Sequence, residues 1–329
     1  MAMATFTPDL KVMTLEKAIE RYVKNGAHIS IGGFTVNRNP MAAVYEIIRQ
    51  KITNLHMYAH SNGQGLDELI GAGSVSKVEI AYSGNGRFAP TCICFKRACI
   101  DNKIMVEDYS NFQMALRFLA GAMGIPFLPT TACLGTDIIH KWGFNSRFRQ
   151  TDPKISDKKL VVMENPFFGS DSSEKVVLVP AIHPDVTLIH AQQADKVGTT
   201  CIHGLTFADI EQAKASQAVI VTCDELCEPG RLNQSPGKNQ LPSFCVDAVV
   251  HIPFGAYPTA CYGLYDYDAA FLEFYGDSAL DEPGFNAYLD EFILGTKTHR
   301  AFIEKALGNR LEDIKADPEK GYSTQLKRR

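Results

Sequence analysis

Long apolar segments are missing from this sequence. No hydrophobic run approaches the roughly 18 to 20 residues that a helix needs to cross a bilayer. The first ten residues lack a basic stretch followed by an apolar one, so no secretory signal peptide is expected. Charge of one sign is also scarce: the formal net charge is −4, and the one basic cluster is Lys327-Arg328-Arg329, which we expect to be solvated. Binding to a membrane or to nucleic acid is therefore not expected.

Paired cysteine motifs are missing as well. None of the nine cysteines is separated from another by two residues, the spacing that zinc knuckles and redox dithiols use. We therefore expect reduced thiols in the cytoplasm, most of them buried as small apolar side chains. The G-x-G-x-x-G spacing of a dinucleotide-binding loop is also absent. What remains is an ordinary globular composition, 45% hydrophobic and 21% charged, which is enough to fill a sizeable core.

Short apolar segments alternate with amphipathic ones along most of the chain. A helix is predicted from Leu15, capped by Thr14, to Asn25-Gly26. Further predicted helices are 40–50, 66–70, 112–123 and 208–216, and predicted strands are 28–31, 54–59, 77–82, 160–164, 175–180, 186–190, 218–223 and 245–252. This alternation predicts an α/β fold, an open and mostly parallel sheet with helices on both faces. We expect this domain to span 7–268 and a helical C-terminal extension, 269–329, to pack on it.

The sharpest local feature is the predicted strand that runs directly into Gly32-Gly33. Loops at the carboxyl ends of parallel strands form the ligand crevice of such sheets. Paired glycines there allow a ligand to approach the backbone and leave N–H groups free to donate, for example to an oxyanion in acyl transfer. The alternative is a tight turn that binds nothing.

Six short segments occur in a recognisable order along the chain. They are Gly32-Gly33-Phe34 with Pro40, Ala81–Asn85, Gly121–Pro126, Ile189–Asp195 with Gly198, Cys223–Gly230 and Cys245–Val250. Together they resemble the class I coenzyme A transferases. In their amino-acid sequence these segments most resemble the A-type chains of two-subunit members that act on glutaconate. The resemblance extends from about Val12 to Asp268, and more loosely beyond.

The resemblance implies a CoA-transferase active only as a heteromer. Members of the family exchange coenzyme A between an acyl-CoA and an acid, here a dicarboxylic acid such as glutaconate, through a glutamate nucleophile. That glutamate lies on the B-type chain, and this chain lacks its tetrapeptide; Glu164-Asn165-Pro166 is rejected because proline replaces glycine. A B-type partner, a coenzyme A thioester as substrate, no permanently bound cofactor and a place in amino-acid fermentation are the further implications.

Seven residues of two loops are the candidates for binding the substrate and its oxyanion. They are Gly32, Gly33, Phe34, Arg38, Ser83, Gly84 and Asn85. We expect the first loop to face the partner's glutamate and Arg38 to pair with a carboxylate or phosphate, unless it is simply solvated. The second loop is expected to bind the acid's second carboxylate, although its residues are also those of an ordinary turn.

Glu107 is the one candidate for a catalytic carboxylate in this chain. It ends an apolar strand, and related A-type chains that act as ring-cleaving hydrolases on steroid-derived thioesters use a glutamate in the matching place. It is either a general base or a structural hydrogen-bond acceptor. A catalytic Glu107 would favour an alternative function, thioester hydrolysis with C–C cleavage or decarboxylation.

The remaining candidates are weaker. His56 and His60 share a face but lack a third ligand, so no metal site is expected. His190 is expected in packing or a polar network, and Cys92, Cys94 and Cys99 are expected to be buried. Tyr257, Tyr262, Tyr265 and Tyr267 either line the substrate or subunit interface or pack in the core. A sugar-phosphate sensor of related fold is disfavoured because no helix-turn-helix or basic face is present.

Overall fold

The computed structural model describes residues 9–168 and 174–327. The first two residues of the predicted α/β domain and the Arg328-Arg329 part of the basic cluster lie outside these ranges. The helices are α1 Leu15–Tyr22, α2 Met41–Arg49, α3 Gln64–Gly71, α4 Ile93–Ile100, α5 Asn111–Met123, α6 Ser146–Arg149, α7 Asp209–Ala215, α8 Ala269–Ser278, α9 Glu282–Tyr288, α10 His299–Leu307 and α11 Leu311–Ile314. None of the helices within the described ranges combines the length and apolarity of a membrane span.

Twelve strands form two sheets in the described part of the chain. They are β1 His28–Ile31, β2 Leu55–Asn62, β3 Val75–Ser83, β4 Met105–Asp108, β5 Phe127–Thr130, β6 Val161–Glu164, β7 Lys175–Pro180, β8 Val186–Asp195, β9 Thr200–Cys201, β10 Ala218–Cys227, β11 Asn239–Leu241 and β12 Ala248–His251. Parallel pairing gives the order β12-β10-β8-β1-β2-β3-β4, and the short β9 and β11 join antiparallel at the far end of β8. The predicted open, mostly parallel sheet is confirmed.

Helices cover both faces of this sheet. Alternate residues of β1 and β8 point to opposite sides: Ile29 and Leu188 join the core with α1, α2 and α3, whereas Thr187 reaches α7 on the other face. The second face also carries α5, which begins with a capping box at Ser110 and ends at the left-handed Gly124, φ 69°. The helix was predicted at 112–123 with Gly124 as its end, whereas its capping box at Ser110 was not predicted.

The C-terminal helices share the larger core instead of resting on its surface. Buried aromatic residues of α8, α9 and α10 pack among the apolar side chains of α2 and α3. In addition, the Tyr275 hydroxyl donates to Asp67 at 2.8 Å and the Tyr288 hydroxyl donates to Glu68 at 3.0 Å. The helical extension is thus present and packed on the sheet domain, while a domain boundary at residue 268 stays a prediction.

One helix and one group of three strands differ from the sequence-based expectation. The α4 helix was not predicted, because its cysteines, phenylalanine and β-branched residues give a weak helical signal. The strands β5, β7 and β6 form a separate antiparallel sheet and not part of the parallel one. The link between β6 and β7, residues 165–174, is shorter than the dozen or more residues that a parallel crossover needs.

Candidate functional site

Three loops meet at the carboxyl edge of the parallel sheet, around Gly63. A Cβ atom at Gly63 would lie 2.3 Å from the Asn85 side-chain oxygen and 2.4 Å from the Thr35 carbonyl oxygen. The Thr35 N–H donates to Ser61 O at 2.9 Å, which holds the loop after β1 against the end of β2. The Gly84 N–H donates to Asn62 O at 3.2 Å, which holds the loop after β3 there as well. The structure therefore brings both predicted loops together on either side of β2.

The glycine pair of the first loop lies directly against Asp209, the first residue of α7. A Cβ at Gly32 would lie 3.0 Å from the Asp209 carboxyl group, and the Gly33 N–H donates to Asp209 Oδ1 at 2.8 Å. A Cβ at Gly33, whose φ is 84°, would lie 2.5 Å from Asn37 O. These positions are glycine because a buried carboxylate and a returning backbone occupy the space of a side chain.

The N–H groups of the first loop are not free, contrary to the sequence-based expectation. Besides Gly33, Gly32 donates to Leu188 O at 2.8 Å and Phe34 donates to Asn37 O at 2.9 Å. A loop that has satisfied its own donors cannot offer them to an oxyanion without rearranging. Contact of Gly32, Gly33 and Phe34 with substrate stays a prediction.

Arg38 is buried and neutralised, with only 3% of its surface exposed. Its Nη1 forms an ion pair with Asp209 Oδ2 and also donates to His190 O at 3.0 Å. Its Nη2 donates to Leu205 O at 2.9 Å. The guanidinium is therefore not solvated, and its main anionic partner is internal, so pairing with a substrate anion stays a prediction.

The second loop contains an amide with one unpaired end. Asn85 is buried; its Nδ2 donates to Gln64 Oε1 at 2.7 Å, while its Oδ1 has no partner among the described residues. Gly84 has no room for a side chain, since a Cβ would lie 2.6 Å from Pro90 O. Ser83 is buried at the end of β3. The unpaired Oδ1 is an acceptor, so it has capacity left for a hydrogen bond from a donor group.

Glu107 on β4 is buried with both carboxylate oxygens engaged. Oε1 accepts from the Tyr109 hydroxyl at 2.6 Å, and Oε2 accepts from Phe144 N at 2.9 Å and pairs with Arg149. Burial, and next the charge of Glu79, raise the pKa of Glu107, while Tyr109 and Arg149 act against this rise. The geometry is that of a structural acceptor, and a catalytic role for Glu107 stays a prediction.

Glu79 lies opposite Glu107 on the adjacent β3 and belongs to a second buried ion pair. Arg117 of α5 approaches Glu79 Oε2 at 2.5 Å, and His56 Nε2 lies 2.9 Å from Glu79 Oε1. Burial alone would raise the pKa of Glu79, but Arg117 and His56 outweigh it and lower the pKa to about 2. Two carboxylates in adjacent strands are thus each stabilised by a separate arginine.

A cavity of about 290 Å³ opens beside the first loop, lined by Arg38, Phe207, Tyr262 and Tyr265 among others. Phe34 stacks on Phe207, with ring centroids 5.0 Å apart and planes at 14°. Phe207 also lines a second cavity of about 240 Å³. Phe207 was not predicted from the sequence as a site residue. The one sequence signal near it is Asp209, an acidic residue in the first turn of α7.

The tyrosine cluster is divided between lining and packing. Tyr262 and Tyr265 line the larger cavity, and Tyr265 also lies against the polar network of His190. Tyr257 is buried and donates to Asp268 at 2.7 Å, and Tyr267 packs edge-on against Phe88. The cluster therefore combines the two expected roles: Tyr262 and Tyr265 line a cavity, whereas Tyr257 and Tyr267 pack against other side chains.

The remaining candidates are internal. His190 lies 2.7 Å from Asp224 Oδ2 and 2.9 Å from Thr222 Oγ1, a satisfied polar network. Cys92 and Cys94 are buried, and burial raises the pKa of both thiols. Burial likewise raises the pKa of Cys99, which is partly exposed. These thiols are poor nucleophiles because the thiolate form is suppressed.

Comparison with known proteins agrees with this arrangement. The model of a family described as coenzyme A transferase matches residues 12–251. The A-type subunit of the glutaconate CoA-transferase of Acidaminococcus fermentans is 40% identical over 316 residues, 96% of this chain and 98% of that protein. The crystal structure of the glutaconate coenzyme A-transferase of that organism matches with a TM-score of 0.91 at 41% identity, covering 95% of this chain and 98% of the other. The A-type subunit of the 3-oxoadipate CoA-transferase of Pseudomonas knackmussii is 32% identical over 299 residues, 90% of this chain and 98% of that protein.

Proposed function

This chain belongs to the coenzyme A transferase family, and from that premise we propose that it is the A-type subunit of a two-subunit CoA-transferase. The enzyme moves coenzyme A between an acyl-CoA and a dicarboxylic acid such as glutaconate. A B-type partner supplies the glutamate nucleophile, and the chain is active only in the hetero-oligomer. The coenzyme A thioester is a substrate, and no cofactor is permanently bound. A cytoplasmic place in amino-acid fermentation belongs to the same proposal.

One observation supports the division of labour: the two predicted substrate loops, after β1 and after β3, contain no carboxylate. Residues 32–40 after β1 and 84–92 after β3 include neither aspartate nor glutamate. Asp209, which contacts the first loop, and Glu107 on β4 are buried in ion pairs with Arg38 and Arg149. Such an edge provides shape and backbone, whereas the attacking carboxylate has to come from elsewhere.

The proposed chemistry proceeds in two balanced halves. The partner's glutamate attacks the thioester carbonyl, the C–S bond breaks, and coenzyme A leaves as a thiolate from a mixed anhydride. The thiolate then attacks the glutamyl carbonyl, which releases the first acid and leaves a glutamyl–CoA thioester. The second acid reverses both steps. In this chain the edge around Gly63 positions the acyl group. The Asn85 Nδ2 amide, one N–H of which donates to Gln64 Oε1, donates its second N–H to the distal carboxylate of the acid.

The hydrolase or decarboxylase alternative is not favoured. It requires Glu107 to take up or release a proton in contact with substrate. Both oxygens of Glu107 are occupied by Tyr109, Arg149 and a backbone N–H inside the protein. A group held in this way stabilises the fold more readily than it performs proton transfer.

Borohydride trapping in the reconstituted complex tests the division of labour. The chain is co-expressed with the product of the neighbouring gene, incubated with acyl-CoA and reduced, and the modified residue is mapped by mass spectrometry. Reduction of a glutamate on the partner alone supports the proposal. Reduction on this chain, or transfer by this chain when purified alone, would contradict it.

A pair of asparagine variants in the same complex tests the acid-binding role. Asn85→Asp places a negative charge beside the distal carboxylate, and we expect KM for the acid to rise at least about tenfold, equivalent to about 1.4 kcal/mol. Asn102→Asp, in the turn after α4, is the matched control and should leave KM unchanged. An equal effect of the two substitutions would remove Asn85 from the acid site.

A further inference from the structure

A cluster of two histidines and an aspartate lies at the opposite, amino end of the sheet. His28 and His56 are paired in register on β1 and β2, and their rings stack with centroids 4.2 Å apart. Asp152 follows α6 and approaches His28 Nε2 at 2.7 Å. One ring nitrogen of each histidine and a carboxylate oxygen of Asp152 all lie within 4.8 Å of one another. The transferase chemistry uses none of these three groups.

Each histidine has one ring nitrogen fixed by a group outside the cluster. His56 Nε2 lies 2.9 Å from Glu79 Oε1, and Arg117 keeps that carboxylate ionised, so Nε2 carries the proton. His56 Nδ1 is then a buried lone pair, and it has no partner among the described residues. His28 Nδ1 lies 2.7 Å from the Tyr58 hydroxyl, which leaves Nε2 on the side of Asp152. Metal-bound histidines are typically oriented by outer hydrogen bonds of this kind.

We propose that His28 Nε2, His56 Nδ1 and an Asp152 carboxylate oxygen bind a zinc ion, with water as the fourth ligand. Imidazole and carboxylate ligands in this ratio suit zinc, whereas magnesium and calcium prefer oxygen ligands alone. The inference is independent of the proposed function, because the cluster lies at the other end of the sheet from the catalytic loops. The ion ties the segment after α6 to β1 and β2.

Charge and access around the cluster favour a cation. The surrounding carboxylates are Glu79, Asp152 and Asp185, and the cations that face them are Arg117 and Lys154. With neutral histidines the local balance is negative by one charge, which a divalent ion reverses. The Asp152 side chain is 24% exposed, so the carboxylate of the cluster is in contact with solvent.

Metal titration of the full chain tests the site. The protein is treated with a chelator, dialysed, and titrated with zinc in the presence of a chromophoric chelator and separately with cobalt(II). We expect one ion per chain, a higher midpoint of thermal unfolding, and a cobalt spectrum without a thiolate-to-cobalt charge-transfer band. That last readout distinguishes this site from the group of His190, Asp224 and Cys261, which contains a thiol.

Three variants locate the bound ion. Asp152→Asn and His28→Gln each remove one ligand, and zinc affinity should fall at least about tenfold, since even outer-group substitutions cost 10- to 100-fold. His140→Gln changes a histidine outside the cluster and should bind as the unmodified chain does. No binding by the unmodified chain, equal binding by all variants, or a thiolate band would overturn the proposal. Where a variant fails to fold, the cobalt spectrum of the unmodified chain decides alone.

Discussion

At the carboxyl end of the parallel sheet, lack of space for a side chain explains which residues are present. Towards the amino end, pairing of buried charges explains it. Gly33, Gly63 and Gly84 occupy positions where a Cβ would lie less than 3 Å from neighbouring atoms. Towards the amino end, Glu79 and Arg117 form a buried ion pair, and Glu79 also lies 2.9 Å from His56 Nε2 on β2. One end is therefore held by close packing of backbone, and the other by specific polar contacts.

The two ends of the sheet stabilise the fold by different means. Crowded glycines contribute little burial and considerable conformational cost, but they let the loops at the carboxyl edge pack directly against neighbouring backbone. A buried ion pair stabilises little on balance, but losing one partner is costly because the other charge stays desolvated. Substitutions at the two ends should therefore have different signatures in stability and activity.

Arg117→Met should have the largest effect, because it leaves Glu79 as an uncompensated buried charge. We expect a loss of about 3–5 kcal/mol in the free energy of unfolding, measured by urea denaturation. Arg300→Gln removes one partner of the exposed pair with Glu304 and should cost less than about 0.5 kcal/mol. If Arg117→Met cost no more than this control, charge would not govern that end of the sheet.

Gly33→Ala should come next, with a loss of about 2–3 kcal/mol from its left-handed backbone and its contact with Asn37 O. Gly230→Ala is the matched control: its φ is 83°, but no atom of the residues that the structure describes lies within 4 Å of the added Cβ. The control should show only the backbone cost, about 1 kcal/mol. Urea denaturation of both gives the difference due to crowding, and equal losses would show that the space beside Gly33 is not limiting.

The smallest effect concerns Glu68, a buried glutamate whose pKa is raised, whereas the pKa of Glu79 is lowered. Burial raises the pKa of Glu68 to about 8, although Gln64, Tyr288 and Tyr45 donate hydrogen bonds to it. The folded state binds this proton more tightly than the unfolded state, so stability is highest below the ordinary value of 4.5 and falls as pH rises to about 8.

Glu68→Gln isolates this contribution. Between about pH 6.5 and 8 the unmodified protein should lose roughly 2 kcal/mol through Glu68, at up to about 1.4 kcal/mol per pH unit. The variant should lack this decline, so the difference in free energy of unfolding between the two proteins should change with pH. Parallel pH profiles from urea denaturation would show that Glu68 is charged when folded.

Local signals predicted local structure well. Thr14 caps α1, Gly124 ends α5, and the strand before Gly32 lies where its apolar run placed it. The family resemblance, the parallel sheet and the transferase assignment, which followed from the order of six segments, are confirmed. Such features depend on residues close in sequence or on a pattern shared with relatives.

Long-range partners could not be predicted in this way. Arg38 looked solvated or available for substrate, but its partner Asp209 is 171 residues away. The sequence spacing pairs His56 with His60 and offers no third metal ligand, whereas the structure places His56 with His28 and Asp152. Each of these pairings depends on which strands and helices become neighbours, and no local spacing encodes that.

The two tyrosine contacts from the C-terminal helices have a consequence for how the chain folds during synthesis. Asp67 and Glu68 emerge from the ribosome long before Tyr275 and Tyr288, which follow them by 208 and 220 residues and complete their hydrogen bonds. Until then these carboxylates lie on a helix whose apolar neighbours are uncovered, so a nascent chain has to retain an open core. Completion of the fold therefore awaits the last helices, and a pause in translation before α9 would leave an aggregation-prone intermediate.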